Sequence, residues 1–168
     1  MGKMKDMKYH FMLFAAVLMM ASCSRERLKG DGATISEVRV TAPFNSIDCN
    51  GSNEVRVFRD SVYRVVVTGY QNLVPAYTTN VSGGKLRLEY EDNTNVRNDN
   101  ISVDVYTPDV DNISLNGSGN IRIDGHFEGV FGGEINGSGN LYLAGGDFSR
   151  ATYRVKGSGN ISARNAVA

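Results

Sequence analysis

Apolar and polar residues alternate along most of the chain, and near its end the alternation is written three times. Leu115, Ile121 and Ile123 hold the same places in one phrase as Ile135, Leu141 and Leu143 in the next; Val155 and Ile161 follow in a third. Each phrase breaks at a tetrad: Gly117, Ser118, Gly119, Asn120; then Gly137, Ser138, Gly139, Asn140; then Gly157, Ser158, Gly159, Asn160, a period of 20 residues. Period-two alternation on both sides of a glycine break predicts strand, corner, strand. Helix is excluded, since two glycines per phrase would each cost about 1 kcal/mol in a helix interior. Repetition at such a period predicts units that bury their apolar faces only against their neighbours. The pattern therefore predicts an all-β fold, a parallel β-solenoid with one tetrad at a corner of each coil.

The N-terminal half keeps the strand pattern and loses the period. Pro43 to Val57 matches Pro108 to Ile123 in spacing, with Ile47 at Ile113, Cys49 at Leu115, Gly51 at Gly117 and Val55 at Ile121. This predicts a diverged opening coil in which Cys49 points inward as a small buried hydrophobe. The other reading, a reactive thiol, needs exposure and a lowered pKa. Ile35 to Val40, Tyr63 to Thr68 and Ile101 to Val105 read as strands; Thr78 to Val81 and Lys85 to Tyr90 read as a hairpin turned at Gly83 and Gly84. Glu91 to Asn100, polar and Asn-rich, reads as an exposed loop.

The first residues carry a different pattern. Lys3, Lys5 and Lys8 precede an apolar run from Phe11 to Met20. That run is too short to span a membrane, which takes about 20 residues, and it fits the apolar core of a signal peptide. Met20, Ala21, Ser22 and Cys23 resemble a bacterial lipobox, which implies cleavage before Cys23 and lipidation of that residue. The alternative is an ordinary secretory signal cleaved near Ala21. The organisation expected is a lipoprotein signal at 1–22, a tether at 23–34 and a β domain at 35–168. The array stops at Ala168, inside what would be another coil, so a truncated gene product or an end that self-associates with another chain is expected.

Composition narrows the chemistry. The chain has 168 residues with 18 basic and 18 acidic ones interspersed, so no nucleic-acid partner is expected. After the leader His126 is the only histidine, which argues against histidine catalysis and a histidine metal site. The tetrads do not fit a dinucleotide loop, which needs a third glycine where Arg122, Tyr142 and Ser162 stand. Nor do they fit calcium turns, which repeat every nine residues with an aspartate. They read as corners in which serine and asparagine stack coil on coil. No outward column holds two carboxylates, as glycoside hydrolysis requires, so no catalytic residue, metal or cofactor is assigned. Glu134 and Arg154, one period apart, read as a surface ion pair. Tyr142 reads as outward and Tyr153 as core; Tyr63, Tyr70, Tyr77 and Tyr90 form a sugar-stacking surface where exposed. Asp60, Ser61 and Val62 resemble a short O-glycosylation signal, or make a turn before a strand.

The ordered succession of Phe44, Ile47 and Asn50-Gly51-Ser52, then Tyr63 to Gly69 with Asn72 and Leu73, then Gly83 to Leu88, then the three tetrads resembles one family. That family is the "putative auto-transporter adhesin, head GIN domain" group, common in lipoproteins and secreted proteins of Bacteroidetes. The resemblance runs from Val38 to the C-terminus. It implies a right-handed, single-stranded parallel β-helix with a less regular N-terminal half, a role in adhesion and no established catalytic residues. The function expected is a lipid-anchored, non-enzymatic binding module of the cell envelope, with the membrane face left open. Its partners would be the membrane through Cys23 and a glycan or cell-surface protein. The alternatives are an envelope structural or assembly protein without an outside ligand, and a degenerate polysaccharide-active enzyme.

Overall fold

The computed structural model describes residues 26–91, 94–164 and 166–167. It is all-β, with a single 3-10 turn at Val74–Ala76 among the described residues. In chain order the strands are β1 (Glu26–Lys29), β2 (Thr34–Val40), β3 (Ser46–Gly51), β4 (Glu54–Arg59), β5 (Arg64–Tyr70), β6 (Tyr77–Ser82), β7 (Lys85–Tyr90) and β8 (Thr94–Arg97). There follow β9 (Ser102–Thr107), β10 (Asn112–Gly117), β11 (Asn120–Ile123), β12 (Glu128–Gly137), β13 (Asn140–Leu143), β14 (Gly146–Gly157), β15 (Asn160–Ala163) and β16 (Ala166–Val167). Two seven-stranded sheets enclose the core. The first is ordered β16-β14-β12-β10-β3-β7-β6 and the second β15-β13-β11-β4-β9-β5-β2; β1 pairs with β8 apart from both.

Each repeated phrase gives one strand to each sheet, and successive phrases pair in parallel at an offset of one period. Leu115 lies opposite Ile135, and Ile135 opposite Val155. Ile121, Leu141 and Ile161 line up in the second sheet. The opening unit joins in the expected register, with Ile47 against Ile113, Cys49 against Leu115, Gly51 against Gly117 and Val55 against Ile121. Ile47, Val55, Val57, Ile113, Ile121, Ile123, Ile135 and Leu141 are all buried to 1% exposure or less. Alternation thus fills a single shared interior.

The corners show why both glycines are needed. The carbonyl of Gly117 accepts from the N–H of Ser138 at 3.0 Å and of Gly139 at 3.2 Å, and Gly137 does the same for Ser158 and Gly159. That carbonyl stands where a side chain of the next corner would be: a Cβ on Gly137 would lie 2.1 Å from Gly117 O. Gly137 also sits at φ +145, a region L-residues avoid. The second glycine lacks a positive φ but is equally confined, since a Cβ on Gly139 would lie 2.2 Å from Gly119 O.

The sheets are mixed, not wholly parallel as a single-stranded solenoid would have them. β2 runs antiparallel to β5, β5 to β9, and β6 to β7. These antiparallel strands close the N-terminal end. The β6–β7 hairpin is the expected one, whereas β8 falls inside the stretch read as a loop and β1 inside the stretch read as a tether. Their pairing explains the shift, since Leu28 and Val96 face each other and both pack on the core. Arg39 pins the 3-10 turn, donating to the carbonyls of Val74 (2.8 Å) and Tyr77. At the other end two expectations fail. Tyr153 and Val155 hold inward columns but are 39% and 42% exposed, because no further rung covers them among the described residues.

Candidate functional site

In a strand with one face in the core, every second side chain must point outward, so register builds outward columns as surely as inward ones. On the second sheet one such column runs Val66, Asp104, Arg56, Arg122, Tyr142, Ser162. The column beside it begins Arg64, Tyr106, Phe58. It continues through Asp124, Ala144 and Arg164, whose N–H groups bond to the rungs before them. The result is a face of arginines and aromatic rings.

These groups are ordered by one another. Arg64 lies 4.1 Å over the ring of Tyr106, and Tyr106 stacks on Phe58 at 5.2 Å. Arg56 lies 5.8 Å over Phe58 and makes a two-pronged contact to Asp104 at 2.7 and 2.8 Å. Hydrogen bonding to Asp104 raises the Arg56 pKa above its already high ordinary value. Arg122 donates Nε to Asp124 at 2.6 Å. Beyond it, Arg122, Tyr142, Leu143, Ala144, Ser162 and Arg164 line a shallow concavity of about 390 Å³. Planar cations and rings of this kind bind through forks and stacking, and they supply no acid–base pair.

The outer face of the first sheet is different chemistry. Asn136 donates to Asn116 (2.9 Å), Asn116 to Asn50 (2.9 Å) and to Asp48 (2.8 Å), and Asn50 to Glu89 (2.8 Å). This half-buried ladder was not foreseen, although its residues stand one period or one aligned position apart. It consumes its own hydrogen-bonding capacity, which suits a structural seam.

The predicted site residues divide. Asn120, Asn140 and Asn160 do form a ladder at the corner, at 2.9 and 3.2 Å, but along the surface. Ser118, Ser138 and Ser158 are exposed, and it is their N–H groups that tie corner to corner. The opening corner differs: Asn53 replaces the second glycine and donates to Asp99 (2.8 Å). Glu134 pairs with Lys156 at 2.8 Å rather than with Arg154, and the Lys156 hydrogen bond lowers the Glu134 pKa. Cys49 is buried, and burial pushes its thiol pKa far up, so the inert reading holds. Tyr77 is buried, with Tyr90 edge-on at 5.0 Å, so these two do not make a stacking surface for sugars. Tyr142 is outward at 43% exposure. Ser61 and Val62 lie on the exposed β4–β5 turn. Cys23 lies outside the described residues.

Comparison with known proteins sets the chain in a family. A crystal structure of a "putative adhesin" from Parabacteroides merdae ATCC 43184 matches with a TM-score of 0.77 at 16% identity. The match covers 82% of this chain and 59% of that one, so this chain spans about three-fifths of that protein's length. A "putative adhesin" from Parabacteroides distasonis ATCC 8503 matches with a TM-score of 0.62 at 19% identity, over 84% of this chain and 77% of that one. A "putative lipid binding protein" from the same organism matches at 0.59 and 19%, over 84% and 80%. A comparison with curated proteins finds no match. The family model described as "putative auto-transporter adhesin, head GIN domain" matches residues 43–168, and with three-quarters of its length so matched the chain belongs to that family.

Proposed function

We propose that this protein is a lipid-anchored binding module of the cell envelope, non-enzymatic, which engages glycans or surface proteins through the outer face of its second sheet. In this reading residues 1–22 are a signal peptide, Cys23 carries the lipid, and the stacked units form a short right-handed parallel β-helix closed by antiparallel strands. The observation that carries it is the arginine and aromatic face from Arg64 to Arg164. Arginine and tyrosine are enriched among binding hot spots, and the register sets these side chains on the outer face of the sheet. The adhesin-like family supports the same direction.

The test is adhesion of beads bearing the full-length protein to mucin, a glycan panel and whole cells. Arg56→Glu with Arg122→Glu should abolish adhesion; Glu134→Arg, on the other sheet, should leave it intact. Adhesion to nothing, or adhesion indifferent to both changes, would remove the binding-module reading in favour of a structural envelope role. Cys23→Ser should move the protein from the membrane fraction to the soluble fraction, and unchanged partitioning would remove the anchor.

A further inference from the structure

The concavity at the β11, β13 and β15 end of this face is specific enough to name a ligand class. Tyr142 stands between two rungs, with Arg122 on one side and Ser162 on the other. Rungs are about 4.8 Å apart, the scale of a single sugar ring. Leu141 and Leu143 are buried at either side of Tyr142 in the strand, so the strand is fixed and its outward ring is presented at 43% exposure. Asp124 takes Nε of Arg122, which orients that guanidinium and leaves both Nη groups without a partner among the described residues. Arg164, exposed and in the adjacent column, completes the rim. One aromatic ring, two arginines and a hydroxyl therefore converge on one hollow.

We propose that this hollow binds a carboxylate-bearing pyranose, a uronate residue of an acidic glycan; the proposal rests on the binding-module reading above. The guanidinium fork matches a carboxylate. The tyrosine ring offers a flat, half-apolar platform to the C–H face of the sugar, and the Ser162 hydroxyl both donates and accepts toward sugar hydroxyls. An acidic peptide would use the arginines and leave the ring uncovered. A neutral sugar would use the ring and leave the arginines to water. Only the acidic sugar employs every group in the hollow.

Calorimetry on the full-length protein in detergent, with tetragalacturonate as probe, tests this. Binding should weaken with salt, as exposed charge pairs do, and should be lost on the methyl ester of the same oligosaccharide. Arg122→Gln and Arg164→Gln should each weaken it roughly tenfold, the range of a charged hydrogen bond. Tyr142→Ala should weaken it about fivefold, in line with an aromatic contact, and Lys156→Gln, on β14 of the other sheet, should leave it unchanged. Thermal melts identical to that of the unaltered protein keep folding out of the result. Equal binding of acid and ester, or indifference to the arginine changes, would overturn the uronate assignment. Equal affinity for hexaglutamate would replace the glycan with an acidic peptide. Absence of tetragalacturonate binding overturns the assignment alone if the beads still adhere, and both readings fail together only if adhesion is absent too.

Discussion

The two ends of the described stack are built from the same kind of strand, and their inward columns meet different surroundings among the described residues. At the N-terminal end the column stops on non-repeated sequence: antiparallel β2, β5 and β6, a 3-10 turn, and the Arg39 side chain bound to two carbonyls. At the other end the last inward side chains of these columns among the described residues are Tyr153 and Val155, both exposed. A repeat can specify how one unit sits on the next. It holds no information about how to stop, because every unit asks for a neighbour. Closing the stack took residues that break the period, and these are the residues in which the repeat is least visible.

The comparison can be tested by making matched changes toward each end. The largest difference is expected at the corners. Gly137→Ala must displace a carbonyl that accepts two hydrogen bonds, so a loss of about 4 kcal/mol is expected from strain and lost bonding together. Gly51→Ala has the same φ problem but meets only Asn53 Oδ1 at 3.3 Å, and should cost about 1–2 kcal/mol in the same denaturant titration. Next comes one inward column, compared by thermal melts. Ile135→Ala should cost about 3 kcal/mol, and Val155→Ala under about 1 kcal/mol, since it is already wet.

Arg39→Met would leave the Val74 and Tyr77 carbonyls without their charged donor, and about 2 kcal/mol should be lost. Hydrogen exchange should show the loss as faster exchange confined to the 3-10 turn and β6. Smaller again is the contrast between the two amide ladders in chemical unfolding. Asn136→Ala, in the half-buried ladder, should cost about 1–2 kcal/mol, and Asn140→Ala, on the exposed one, about half that. An equal cost would mean that burial does not set their worth.

The smallest effect is in acid. The folded Glu134 pKa lies below its ordinary value of 4.5, chiefly through the hydrogen bond from Lys156. A carboxyl depressed on folding adds stability above the unfolded pKa and loses it as pH falls through the folded one. Glu134→Gln should therefore be slightly less stable than the unaltered protein at neutral pH and converge with it as pH falls below 4.5, which flattens the acid limb of the stability curve. A steeper acid limb would reverse the sign.

How much of this was legible depended on which interaction carried the information. Local alternation and the spacing of Ile47, Cys49 and Gly51 against Ile113, Leu115 and Gly117 predicted the register of the opening unit, which pairs as aligned. The Asn116 and Asn136 ladder was equally visible as a column but not as a seam, since bonding to Asp48 and Glu89 depends on strands far apart in the chain. The Arg64, Tyr106, Phe58 and Arg56 stack was missed for the same reason. Its members come from β5, β9 and β4, and no fixed spacing links them.

The sequence by itself determined the unit, because a twenty-residue alternation broken by two glycines has a single way to fold back and bury its aliphatic face. It determined the corners too, since a backbone that passes within bonding reach of the corner below leaves no room for a Cβ. Only the tertiary structure decided the direction of the flanking strands, the pairing of β1 with β8, and which outward side chains meet on one face. Those outcomes rest on contacts between segments whose separation follows no period, and a repeat pattern carries no trace of them.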